Sequence, residues 1–174
     1  MSFIKTDNTA RVFAPGYFLA ADAENCIRET REMKQTDATT LSDGTKIVKM
    51  GTAYPANDAT AEGIVYEDID VTSGDMPGSV VTKGIVYEDR LAVTSVDYQA
   101  VTPETGDNPK EKGWYERSGS AGSYVYTLTD DTTVQDGTTY YKAVDVRISA
   151  AAKTALEGKG FKFIATAPTV TRPY

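Results

Sequence analysis

The hexapeptide Gly-Ile-Val-Tyr-Glu-Asp occurs twice, at Gly63–Asp68 and again at Gly84–Asp89, and no other feature limits the fold as strongly. Each copy sets β-branched and aromatic residues between a glycine and an acidic pair, which is strand composition bounded by turn formers. Between the copies lies Gly74-Asp-Met-Pro-Gly78, a turn by composition. The spacing predicts an antiparallel hairpin with the two copies side by side. Side chains alternate along a strand, so Ile64, Tyr66, Asp68 and Asp70 are expected to face one way and Val65, Glu67, Ile69 and Val71 the other. Neither face is purely apolar, and two copies are too few for a solenoid. The repeat therefore reads as shared strand composition within one sheet.

Charge narrows the partners. Lys and Arg number 18 against 25 Asp and Glu, a net charge of −7, and the cations Lys110, Lys112 and Arg117 are scattered rather than run together. Nucleic-acid binding rests on clustered cations that neutralise phosphates, so nucleic acid is not an expected partner. The chain has no histidine and a single cysteine, Cys26. Imidazole acid–base catalysis, His or Cys zinc sites and disulfides within one chain are thereby excluded, and a non-enzymatic protein without cofactor or metal is expected. The opening MSFIKTDNTARVF lacks the apolar core of a secretion signal, and no run approaches the ~20 apolar residues that cross a bilayer. The expectation is a soluble protein made in the cytoplasm, with no membrane partner.

Residues 1–40 read as an extended N-terminal arm, broken at Ala14-Pro15-Gly16, whose apolar residues Phe3, Ile4, Val12, Phe13, Tyr17 and Phe18 are candidates for docking onto a neighbour or, equally, for packing on their own domain. Glu24–Lys34 fits neither the helical nor the strand period and reads as a strand or short helix. Thr36–Thr45 reads as a loop, Lys46–Met50 as a strand, and Gly51–Thr60, with Pro55 and Asn57-Asp58, as a second turn. From 96 to 142 the text changes: Trp114–Glu116, Tyr124–Leu128 and Thr138–Lys142 are short aromatic and Thr runs separated by Gly, Ser, Asp and Asn. This predicts an inserted β module of three or four strands. A module this small needs its rings first as its own core; Trp114, Tyr115, Tyr124 and Tyr126 are the candidates for an outward face that could stack on sugar rings. Finally, Ser149 stands as an N-cap before Ala150–Glu157, which reads as a helix closed by Gly158 and Gly160. Phe161–Ile164 follows as a strand, and 165–174 has no periodicity. The expected fold is mainly β with one short α-helix (α+β): an arm over 1–40, a core domain over 41–95 plus 143–174, and an inserted module over 96–142.

Acidic residues recur as Glu67-Asp68, Asp70, Asp75 and Glu88-Asp89, and a hairpin would set two Glu-Asp pairs side by side, as a paired-carboxylate hydrolase or a Ca²⁺ site requires. Like charges facing across strands are destabilising without a cation, and calcium loops space their carboxylates more tightly. Solvated edges are the better account. Cys26 lacks an activating histidine, and Gly119, Gly122 and Gly137 lack the spacing of a phosphate loop. No catalytic, cofactor or metal residue is assigned.

Four stretches in order carry a resemblance: Asp43-Gly44-Thr45 to Gly51-Thr52; Ala61 to Asp75, AEGIVYEDIDVTSGD; Val80-Val-Thr-Lys-Gly84; and Ile148 to Phe161, ISAAAKTALEGKGF. Together they resemble the lambda-type bacteriophage head decoration proteins. The resemblance implies a compact β-rich domain with a small helical part, assembled as a homotrimer on the outside of an expanded virion capsid. It also implies an N-terminal arm reaching the major capsid protein. The chain departs from the family pattern by its 96–142 insert, which resembles Gly-Trp-Tyr and Thr-Tyr-Tyr modules of virion proteins from phages of Gram-positive hosts, and by its longer N-terminus. The expected function is a capsid-stabilising decoration protein. The alternative is a head fibre or adhesin that binds a host-surface glycan through 96–142.

Overall fold

The computed structural model describes residues 15–20 and 26–168. The chain divides into two compact units, Met1–Val93 with Arg147–Tyr174, and Thr94–Val146. The fold is mainly β with one α-helix. Among the described residues the strands are, in order, β1 (Ile27–Met33), β2 (Thr39–Thr40), β3 (Lys46–Val48), β4 (Ala53–Tyr54), β5 (Gly63–Val65), β6 (Ile69–Asp70), β7 (Met76–Lys83), β8 (Ile85–Tyr87), β9 (Ser95–Ala100), β10 (Tyr115–Ser118), β11 (Val125–Leu128), β12 (Tyr140–Val146) and β13 (Lys162–Ile164); α1 (Ala150–Gly158) precedes the last.

The first unit is built around an antiparallel sheet of order β1-β7-β5-β4. Its consecutive apolar pairs are explained by burial on both faces. Ile64 sits opposite Val81, and both enter a core with Phe18, Ala61, Val86, Leu91, Ala152, Leu156 and Phe161. Val65 and Val80, one step along the same register, point the other way into a second core with Met33, Val48 and Val71. A smaller sheet, β2-β3-β6, and the parallel pair β8-β13 complete the unit.

The two hexapeptide copies do not form a hairpin with each other. The first contributes β5, which pairs with β7; the second contributes β8, which pairs in parallel with β13 and, on its other edge, with residues 18–20. Ala20 N–H donates to the Ile85 carbonyl and Tyr87 N–H to the Phe18 carbonyl, both at 2.8 Å. The reason is β7: this eight-residue strand begins at Met76, inside the expected turn, and takes the edge of β5 that the second copy was expected to occupy. The turn lies earlier, at Thr72–Gly74. The expected alternation through Val71 also ends early, because β5 stops at Val65.

Nor is 1–40 an arm throughout. β1 pairs with β7 along its whole length, so Glu24–Lys34 supplies a strand of the central sheet. Phe18 is fully buried in the first core, because a large apolar side chain gains most where it excludes water completely. Thr36–Thr45, read as a loop, holds β2 beside a short 3₁₀ turn at Gln35–Asp37.

The helix forms where its cap and small residues placed it. The Ser149 hydroxyl accepts from Ala152 N–H at 3.0 Å, and Ala152 and Leu156, four apart and so on one face, are its buried residues. Ile148 and Ala155 pack beside them. Gly160, at φ +94°, reverses the chain, and Phe161 N–H then donates to the Leu156 carbonyl at 3.1 Å, which starts the run into β13.

The second unit is one antiparallel sheet of order β11-β10-β12-β9. β9 and β12 pair from Ser95↔Val146 to Ala100↔Tyr141, which brings the two ends of the unit together and carries strand pairing past both ends of 96–142.

Candidate functional surface

Register decides which rings of the second unit share a face. Tyr115 lies opposite Tyr141, Arg117 opposite Tyr126, and Ala143 opposite Tyr98, so these side chains stand on one side of the sheet. Tyr98 stacks on Tyr126 with ring centroids 4.0 Å apart and 3° between planes. Tyr115 meets Tyr98 edge-on at 5.0 Å, and Tyr141 meets Tyr126 edge-on at 5.2 Å, the offset and T-shaped geometries that ring quadrupoles favour. Since β9 and β11 are the two edges of the sheet, the Tyr98–Tyr126 pair spans it and covers Tyr141, which is buried. The other side is a second small core: Trp114, 7 % exposed, packs on fully buried Tyr140 at 5.7 Å. The Tyr140 hydroxyl donates to Asp131 Oδ2 at 2.5 Å and accepts from Gln135 N–H at 3.1 Å, while Thr129 donates to Glu116. Burial first, and then the Asp131 carboxylate, push the Tyr140 phenol above its ordinary pKa.

Of the four rings expected on an outward face, Trp114 is therefore core, because its indole finds more apolar contact against Tyr140 than solvent offers. Tyr115 and Tyr126 are half-buried members of the ring cluster. Tyr124 is 42 % exposed and lies under the Arg117 guanidinium at 4.2 Å, which also approaches Tyr141 at 5.1 Å. Arg117 has no carboxylate partner among the described residues. Nothing in the sequence alone singles out Tyr98, Tyr141 and Arg117 for this face. Alternation along Val96-Asp-Tyr98 and Tyr115-Glu-Arg117 gives their parity, but only strand order shows that the parities coincide.

In the arm, Phe3, Ile4, Val12 and Phe13 lie outside the described residues. Tyr17 is 38 % exposed, with Arg90 4.4 Å above its ring and Arg90 Nη1 donating to its carbonyl at 3.2 Å. Phe18 is unavailable for contact without leaving the core.

The acidic residues around the repeat work singly, as loop clamps. Asp68 accepts from Met50 N–H at 2.7 Å, Asp70 from Thr72 N–H at 2.9 Å, Asp75 from Gln35 N–H at 2.8 Å and Asp89 from Ala167 N–H at 2.9 Å, while Glu88 pairs with Lys153 at 2.6 Å. Among the described residues no three His, Cys, Asp or Glu side chains gather in a group that could hold a metal ion. Burial raises the Cys26 thiol pKa against the opposing pull of Arg28, which leaves it a poor nucleophile. A shallow recess of about 310 Å³ runs beside β1, lined by Ile27, Glu29, Arg31, Glu62, Thr82, Lys83 and Lys159, with both charge signs on its walls. No helix among the described residues is long and apolar enough to cross a membrane. No protein-family model, curated protein or solved structure matches this chain.

Proposed function

We propose that the chain is a structural virion protein that binds the outer surface of a bacteriophage capsid and stabilises the expanded head. What supports this reading is convergence. The four separated stretches that resemble decoration proteins meet in one core: Met50 from the first, Ala61 and Ile64 from the second, Val81 from the third, and Ala152, Leu156 and Phe161 from the fourth. The stretches that carry the resemblance thus belong to one folded unit and share its core. On this reading the first unit seats on the major capsid protein, and the function is adhesive rather than catalytic.

Binding only to the expanded shell lowers that state's free energy by RT ln(1 + [L]/Kd) at each site, and the small terms add over a lattice of many copies. The test uses heads that carry the protein and heads that lack it, heated while DNA release is followed. Bare heads should release DNA at lower temperature, and added purified protein should restore resistance. Equal release temperatures would remove the stabilising role.

One observation favours a second reading, a host-surface glycan adhesin: the exposed Tyr124–Arg117 pair offers a ring face beside a cation. Full-length protein that binds a glycan array, and loses that binding as Tyr124→Ala, would support it over decoration.

A further inference from the structure

Strand β1 occupies an edge of the central sheet, and among the described residues its outer side has no backbone partner. Its residues Ile27, Arg28, Glu29, Thr30 and Glu32 are exposed. Such a long open edge is a template for another strand unless the sequence guards against it. The direction of its backbone groups follows from its neighbours. Tyr66 N–H donates to the Ser79 carbonyl at 2.9 Å, so the backbone of Ser79 faces β5 and not β1. Thr30 lies opposite Ser79, and Glu32 lies opposite Pro77, which has no N–H to give. Arg28, Thr30 and Glu32 therefore turn their N–H and carbonyl groups outward, while Glu29, Arg31 and Met33 bond to β7.

Along that edge, Ile27-Arg-Glu-Thr-Arg-Glu-Met33, the charges are antisymmetric about Thr30, so that reading the strand in reverse inverts every sign. We infer that two copies of this chain pair through β1, antiparallel, about a two-fold axis at Thr30. In that register Arg28 faces Glu32 of the second copy and Glu29 faces its Arg31, so every charge on the strand meets its opposite on both faces of the sheet. The flanking Ile27 faces Met33, and Thr30 faces its own equivalent. The backbone parity agrees independently: the three outward-facing residues are those that such an axis makes hydrogen-bonded pairs, each exchanging two bonds. A self-complementary patch is what a two-fold interface requires. A single register is also favoured, because a slip of one residue would carry Glu29 and Arg31 to the wrong face and a slip of two would place like charges together. Glu29 and Arg31 form an ion pair within one chain, which the dimer would exchange for the same pairing between copies. Arg28 rests 4.3 Å over the Tyr66 ring. The Glu32 carbonyl also accepts from the Tyr54 hydroxyl at 3.3 Å, and its second lone pair stays available. This pairing stands apart from the capsid reading, and it is two-fold where the family resemblance implies a trimer.

The test is sedimentation of the full chain with three variants. The unaltered chain should sediment as a dimer. Arg31→Glu sets like charges opposite one another twice across the axis and should raise the dimer dissociation constant roughly tenfold or more. The double variant Glu29→Arg/Arg31→Glu restores opposite pairs with the signs exchanged and should recover the dimer. Thr30→Pro removes the central outward N–H without touching the β7 ladder and should give a folded monomer by circular dichroism. A monomer, its edge open to a strand of some other protein, overturns the inference, as does a trimer. So does a dimer indifferent to Arg31→Glu, or one weakened by it that the double variant does not restore.

Discussion

Alanine placed at Gly63 and at Gly84 should have opposite consequences, although both residues open the same hexapeptide. At Gly63 an added methyl would lie closer than 3 Å to both the Val81 carbonyl oxygen and Val80 Cγ1, with the Val81 carbonyl carbon at 3.2 Å. The oxygen belongs to the backbone of the strand paired with β5 and cannot rotate away, so β5 and β7 must separate locally where both faces are packed. Overpacking of this kind costs about 1–3 kcal/mol. At Gly84 the methyl would meet Leu19 Cδ2 and Val81 Cγ1 at 3.5 Å, ordinary contact, and the backbone there is not left-handed. Alanine should then be neutral, or stabilising by up to about 0.5–1 kcal/mol because glycine loses more backbone entropy on folding. Each kcal/mol moves the midpoint of a unit this size by roughly 4 °C. Gly63→Ala should thus melt roughly 4–12 °C below the parent and Gly84→Ala at or slightly above it, by far-UV circular dichroism. Trp114, the sole tryptophan, lies in the other unit and identifies that unit's transition by fluorescence. Equal losses in the two variants, or an unaffected Gly63→Ala, would refute the packing argument.

Leu156→Ala, which empties a fully buried position on the helix, should destabilise the first unit by about 2–5 kcal/mol in urea unfolding. Ser149→Ala removes the acceptor of Ala152 N–H and should cost about 0.5–2 kcal/mol by the same measurement. Tyr140 gives the second unit an alkaline limit. A raised folded-state pKa means that the fold favours the neutral phenol, so this stabilisation is complete below the unfolded value of about 10 and is lost as pH rises through the folded one. The urea midpoint followed by Trp114 fluorescence should fall above about pH 10 and fall less steeply in Tyr140→Phe; identical alkaline slopes would show that Tyr140 is not the group responsible. Asp107 is held below the usual carboxylate range by the hydrogen bond from Lys112, then by that from Glu104 N–H. Its loop contribution should be present above about pH 4 and lost as pH falls through the depressed value, a change that Lys112→Met should diminish in an acid titration.

Local physics was legible in the chain. The helix at Ala150 could be read because its cap, its alanine run and its closing glycines act within a few residues of one another, and the strands of 96–142 because turn formers bracket β-branched and aromatic runs. The β-rich class, with its single helix, followed from those signals. The identical hexapeptides show where such reading stops. Nothing within Gly-Ile-Val-Tyr-Glu-Asp states whether its neighbour will be β7 or β13, because pairing is a competition among all edges in the molecule, and β7 is longer than either copy. Burial on both faces hid β5 from any test of alternation, and Glu24–Lys34 hid β1 because an exposed edge strand carries charges instead of an apolar stripe. The ring face of the second unit likewise needed the register that brings Tyr98 across to Tyr126. The sequence by itself determined composition, the helix cap and the absence of imidazole chemistry, all effects of near neighbours or of the inventory alone. Tertiary structure decided which strands meet, which of two identical glycines has no room for a methyl, and that the edge left open is the one whose charges invert in mirror order, since each of these depends on residues far apart in the chain.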